Sequence, residues 1–291
     1  MQPSVLPTPD RPGPLSLQPL ALAGGTHGVL LFHGLSSGPL ELQFVARGLH
    51  RAGYSVRACV IANYTYGLTS GENNNAAAWE RAALAEFDAF AAQFDTVSVG
   101  GLCIGAVLAL RVAALRSSRI RSVLALSTTL HFDGWANPWY TPLLQLGRVL
   151  PFTQRMAIRE GEPYGLKDTR MRGWVKRQMQ ASGNSNAGAA CLRVGDLLKA
   201  SDLIRRTAAS LSQVTSATLL IHAREDDCAS PRSAFEVASR INAAHIQVIL
   251  LSNSYHMISI DQEKDKVITH LTRFLAALLE PQKAHNDLRV S

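Results

Sequence analysis

No apolar run in this chain approaches the ~20 residues that a membrane-spanning helix needs. Its first 25 residues, MQPSVLPTPDRPGPLSLQPLALAGG, lack a basic start and an unbroken apolar stretch, so they do not read as a secretory leader. Prolines at 3, 7, 9, 12, 14 and 19 suggest instead an extended arm over residues 1–26. Cysteine is scarce. The four thiols, at 59, 103, 191 and 228, form no CxxC pair and no dense framework. This excludes a disulfide scaffold and fits a reducing, cytoplasmic setting. No His/Cys cluster has ligand-like spacing, so no metal is expected. The glycine fingerprint of dinucleotide binding is missing, as is any internal repeat.

What is present points to a globular protein. Hydrophobic residues make up 47% and charged residues 18% of the 291, a balance that can bury one large core or a core with an insertion. The net charge of +7 is unevenly placed. From Arg148 to Arg206 there are twelve Lys and Arg against five Asp and Glu, and the remainder balances. The plain reading is a solvated basic surface. The sharper one is a face for a phosphate-bearing acyl carrier, coenzyme A or an acyl carrier protein. No recognition motif accompanies the charge, so no nucleic-acid partner is expected.

Short apolar runs alternate with longer amphipathic segments. Strands are expected at 28–34, 55–62, 96–101, 121–128, 217–223 and 246–252, with helices at 38–53, 72–94, 104–116 and 262–279. The Asn-rich start of the second helix suits capping. This alternation predicts an α/β fold with a mostly parallel sheet and helices on both faces. From about 131 to 210 the rhythm is lost, and aromatic, basic and helix-like stretches appear without a convincing strand.

Three positions after expected strands carry chemistry. Cys103, in Gly101-Leu102-Cys103-Ile104-Gly105, lies on a tight strand-to-helix turn. There a helix N-terminus favours the thiolate, and the Ile104 N–H points where an oxyanion would form. His256 follows the last expected strand, a place from which an imidazole can reach a cleft. Asp226 and Asp227 follow the strand 217–223, where a carboxylate could orient that imidazole.

The stretches LLFHG (30–34), GGLCIGA (100–106), IHAREDDCASPRSA (221–234) and SYHMISIDQEKD (254–265) resemble the α/β-hydrolase superfamily. Within it the chain is similar to small capped carboxylesterases and to monoacylglycerol-lipase-like, serine-aminopeptidase-like hydrolases, over about residues 27–279. The resemblance implies a core at 27–130 and 211–280, a cap insertion at 131–210 and a polar tail at 281–291. It implies Cys103 as nucleophile, Asp226 as acid and His256 as base, with the N–H groups of Leu35 and Ile104 as oxyanion hole; Asp227 stays an alternative to Asp226. No cofactor is implied.

The departure from the pattern is cysteine where these esterases usually carry serine. Dienelactone hydrolases and polyhydroxyalkanoate synthases share that cysteine without matching the whole chain. The expectation is an acyl hydrolase acting on a small-molecule ester or thioester through an acyl-enzyme. An acyltransferase or synthase with the same triad and a non-catalytic binding protein are the alternatives. The apolar segment 132–152 is expected either to line an acyl pocket or to anchor the cap.

Overall fold

The computed structural model describes residues 18–279, apart from 72, 139–140, 142–147, 150, 160, 183, 186–187 and 190. The chain begins with β1 (Leu20–Leu22), β2 (His27–Phe32), α1 (Gln43–Arg51) and β3 (Ser55–Ala58). There follow α2 (Ala76–Ala91), β4 (Thr96–Leu102), α3 (Ile104–Leu115) and β5 (Ile120–Leu126). Next come β6 (Ala157–Arg159), α4 (Thr169–Ser182), β7 (Asn184–Ser185), β8 (Gly188–Ala189), β9 (Cys191–Arg193) and α5 (Val194–Ala208). The chain then forms β10 (Ala217–Ala223), α6 (Arg232–Arg240), β11 (Ile246–Leu251) and α7 (Lys264–Leu279).

Seven strands make one sheet in the order β1-β3-β2-β4-β5-β10-β11. All neighbours are parallel except β1, which joins β3 antiparallel at the edge. The reason lies in the strand sequences. A strand covered on both faces is mostly apolar, because successive side chains point to opposite sides, and the few polar ones it buries need partners. β2 is buried along its whole length. Its Val29 and Leu31 join the core that includes Val45 and Leu49 of α1 and Leu271 of α7. Its Leu30 and Phe32 join the core that includes Trp79 and Phe87 of α2 and Leu108 of α3. Each such side chain contributes about 1.5–3 kcal/mol on burial.

The expected strands and helices are found, with shifted ends. β3 stops at Ala58 rather than 62, although Cys59 still donates its N–H to the Leu31 carbonyl. α2 begins at Ala76, where Asn75 accepts the Ala78 N–H at 2.9 Å, so the cap is one particular asparagine of the run. The edge strand β1 was not anticipated; it follows Pro19, a residue compatible with an edge position.

The segment expected to hold no strand carries two very short antiparallel pairs, β6–β9 and β7–β8. Of the stretch 131–210 expected to form a cap, the last helix does not stand apart from the core. α5 packs against α2 and α3, with Ala200 and Leu203 inside the core on that face. Most of the arm at 1–26 and all of the tail at 281–291 lie outside the described residues.

Candidate active site

The residues following β2, β4, β5, β10 and β11 meet at one edge of the sheet, the carboxyl ends of its parallel strands. Loops there face a common crevice, because every parallel strand delivers its next residue to the same side.

Cys103 is the link between β4 and α3. Its backbone sits at φ 58°, ψ −121°, a region that costs a non-glycine residue about 1–3 kcal/mol. The neighbours make this turn sterically feasible. A Cβ at Gly105 would lie 2.1 Å from the Phe32 carbonyl oxygen, and one at Gly101 would lie 2.4 Å from that of Gly105. Glycine is therefore required at both. The turn leaves the sulfur half-buried at the N-terminus of the 12-residue helix α3, whose partial positive charge favours a thiolate.

His256 is brought to the same cavity as Cys103. Its Nδ1 lies 2.9 and 2.8 Å from the two oxygens of Asp226, so Asp226 and not Asp227 meets the ring. Nε2 is buried and makes no hydrogen bond of ordinary geometry. It is nevertheless close enough to the sulfur for each group to act on the other's charge. Asp227 holds the loop instead, accepting the N–H of His256 at 3.1 Å and that of Gly165 at 3.0 Å. Asp226 is nearly inaccessible and also accepts the N–H groups of Cys228 at 2.9 Å and Ala229 at 2.8 Å.

The charges follow from these contacts. Burial would raise Asp226, but the imidazoles of His256 and His222 outweigh it and hold the carboxyl well below its usual range. Burial would lower His256, but the charges of Asp226 and Cys103 hold it well above the usual imidazole range. Cys103 is held well below the usual thiol range, first by the neighbouring Cys228 thiol. Burial opposes this, and the His256 charge reinforces it. Cys228 is correspondingly pushed up, by the neighbouring Cys103 sulfur and by burial. A proton on His256 and a negative charge on Cys103 therefore favour each other.

Four residues of this site escaped the sequence reading. Cys228 stood in the quoted motif, but nothing in a sequence marks a thiol as facing another 125 positions away. The Thr129 hydroxyl lies 3.4 Å from the Cys103 sulfur and 3.2 Å from the Ser127 carbonyl. The Ser127 hydroxyl donates to the His256 carbonyl at 2.7 Å. Glu41 lines the cavity from the loop after β2. His33, which also ends a strand, is engaged elsewhere. Its nitrogens face the Gly34 carbonyl at 2.7 Å and the Thr65 hydroxyl at 2.8 Å, and burial lowers it to about 4.

Leu35 and Ile104 line the cavity beside Cys103, and neither backbone N–H has an acceptor among the described residues. The cavity at the sulfur is about 110 Å³. A neighbouring cavity of about 300 Å³ shares Phe132, Leu192, Leu197, Asp227 and Cys228 with it. Among the described residues no group of three or more His, Cys, Asp or Glu could hold a metal ion. No described helix is long and apolar enough to cross a membrane.

Residues 29–269 match the alpha/beta hydrolase family, so the chain belongs to that family. A carboxylesterase from Bacillus subtilis (strain 168) is 20% identical over 263 residues, spanning 90% of this chain and 97% of that protein. Among solved structures, the metagenome-derived lipolytic enzymes LipS and LipT supply a match at 21% identity and TM-score 0.75, over 90% of this chain and 98% of that one. A monoacylglycerol lipase from Paleococcus ferrophilus matches at 17% identity and TM-score 0.71, over 89% and 98%.

Proposed function

We propose that the chain hydrolyses a carboxylic ester or thioester through an acyl-enzyme on Cys103. The observation that carries this is the meeting of three separate loops. A cysteine on a strained turn shares a cavity with an imidazole, and the far nitrogen of that ring lies 2.8 Å from a buried carboxylate. The esterase and lipase relatives support the ester-bond class.

In this reading the Cys103 thiolate attacks the acyl carbon and a C–S bond forms. The carbonyl oxygen gains the electron pair and lies against the N–H groups of Leu35 and Ile104. His256 then gives its proton to the leaving alkoxide or thiolate. Neutral His256 next takes a proton from water, which attacks the thioester. The acid leaves, and the sulfur is again a thiolate facing an imidazolium. Asp226 keeps the ring oriented and offsets its charge throughout.

The 300 Å³ cavity contacts the larger part of the substrate in this scheme. Phe132, Ile158, Leu192 and Leu197 in its wall suit an apolar acyl or alkyl group of moderate size. The basic stretch 148–206 gives weak support to a carrier-bound substrate. At least six of its twelve cations are paired with carboxylates: Arg148, Lys167, Lys176, Lys199, Arg205 and Arg206.

Turnover of a p-nitrophenyl ester and an acyl thioester, with a mass shift trapped on Cys103, tests the proposal. Cys103→Ala abolishes both signals, and Cys103→Ser keeps a fraction of the ester activity. Turnover undiminished in Cys103→Ala refutes the assignment.

A further inference from the structure

Glu41 is a carboxyl group for which the scheme above has no task, although it stands beside the reacting atoms. It sits in the 3-10 turn Pro39–Leu42, is 3% exposed, and lines the cavity that holds Cys103 and His256. Its Oε2 accepts the Gly34 N–H at 2.5 Å. A Cβ at Gly34 would stand 3.0 and 3.3 Å from the two carboxyl oxygens and 3.6 Å from the Cys103 Cβ. The Glu41 carboxyl and the Cys103 side chain therefore lie on the same side of Gly34.

We propose that Glu41 is the positioning residue of the oxyanion loop, its carboxyl fixing the Gly34 peptide so that the next N–H, that of Leu35, faces the cavity. This rests on the reading of Cys103 and Leu35 given above. The turn is held at both ends. The Gly34 N–H is taken by Glu41, and the Gly34 carbonyl accepts the Ser37 N–H at 3.3 Å and faces His33 Nδ1. With these bonds made, the N–H groups of Leu35 and Ser36 are left without a described acceptor, and of the two residues Leu35 is the one that lines the cavity.

The charge state matters as much as the geometry. The titratable groups around Glu41 are Cys103 on the β4–α3 turn, His256 on the loop after β11, Tyr64 on the loop after β3, and His33 at the end of β2. The cation among them, His256, is already matched by Asp226 and Cys103. Burial accordingly drives Glu41 up to about 8, against the opposing pull of the Gly34 N–H. At neutral pH the carboxyl is protonated and holds the loop without setting a second negative charge against the thiolate or the oxyanion. Above that pH it ionises, and the charge opposes both.

The experiment compares wild type with Glu41→Gln and Glu41→Ala between pH 6 and 10. Glutamine reproduces the neutral acid, because its amide oxygen can accept the Gly34 N–H. The expected results are kcat within about threefold of wild type at pH 7 for glutamine, without the alkaline fall that wild type shows near pH 8. Alanine loses about 10- to 100-fold in kcat with little change in KM, because it misplaces an oxyanion donor. A glutamine variant as impaired as alanine at pH 7, or one that keeps the fall near pH 8, overturns the proposal. Carbon-13 NMR of glutamate-labelled protein is the arm that needs no turnover. One carboxyl resonance, absent from Glu41→Gln, should titrate near pH 8. Its titration near 4.5 overturns the proposal even if esters are turned over. Loss of ester turnover in wild type with that resonance still at 8 would sink only the reading of function.

Discussion

Removing the second thiol should disarm the first. Cys228 lines the same cavity as Cys103, and a hydrogen bond from its thiol to the sulfur would favour the thiolate. A hydrogen bond to a charged group is worth about 1.5–3 kcal/mol, and a thiol is a weak donor, so the low end applies. That corresponds to about one pH unit in the ionisation of Cys103. Cys228→Ala is therefore expected to move the midpoint of Cys103 alkylation by iodoacetamide upward by about one unit. Where the midpoint falls below the range in which the protein stays folded, the rate at a fixed acidic pH should drop about tenfold. Alkylation would be followed by mass spectrometry of the peptide carrying Cys103, in a Cys191→Ser background because Cys191 is exposed. Cys59 does not interfere, since burial raises its thiol well above the usual range. Cys228→Ser, which offers an O–H in the same place, should restore the wild-type profile. An alkylation profile that is the same in wild type and Cys228→Ala would refute the reasoning and leave His256 and the helix terminus as the stabilising groups.

The parts of this molecule legible in its sequence are those set by local pattern. β2, β4, β5 and β10 announce themselves because burial on both faces demands short, mostly apolar runs, as in Val29–Phe32. Gly101 and Gly105 around Cys103 mark the tight turn because no larger residue fits there. The choice between Asp226 and Asp227 was not legible. Adjacent residues of the same type differ only in which way the loop turns them, and the loop sends one to the ring of His256 and the other to its backbone. Glu41 and Cys228 were invisible for a related reason. Glu41 reads as the polar side of an amphipathic segment, yet the 3-10 turn before α1 rotates it into the cavity. The short pairs β6–β9 and β7–β8 have only two or three residues per strand, too few for a period of two to register.

Three further outcomes follow from the same contacts. Asp226→Asn should lower kcat on the order of 10³-fold, because the ring loses both its orientation and its counter-charge. Asp227→Asn, which loses only acceptors for the N–H groups of His256 and Gly165, should cost less than about tenfold. Steady-state kinetics on one ester would check the order of the two. Gly105→Ala should destabilise the fold by about 2–3 kcal/mol in urea unfolding, since its methyl would meet the Phe32 carbonyl at 2.1 Å. The third concerns stability against pH. A carboxyl raised to about 8 in the fold and ordinary in the unfolded chain favours folding most while it is protonated in both states. That contribution is intact below about pH 4.5 and lost as pH rises toward 8, by about 1.4 kcal/mol per unit. Glu41→Gln removes this titration and leaves those of Asp226, His256 and Cys103 in place. The stability of the glutamine variant relative to wild type should therefore rise by about 4–5 kcal/mol between pH 4.5 and 8, then level off. Urea midpoints across that range would show it. A difference that stays flat would mean that Glu41 ionises in the fold as readily as in water, and that the group beside Gly34 is a carboxylate.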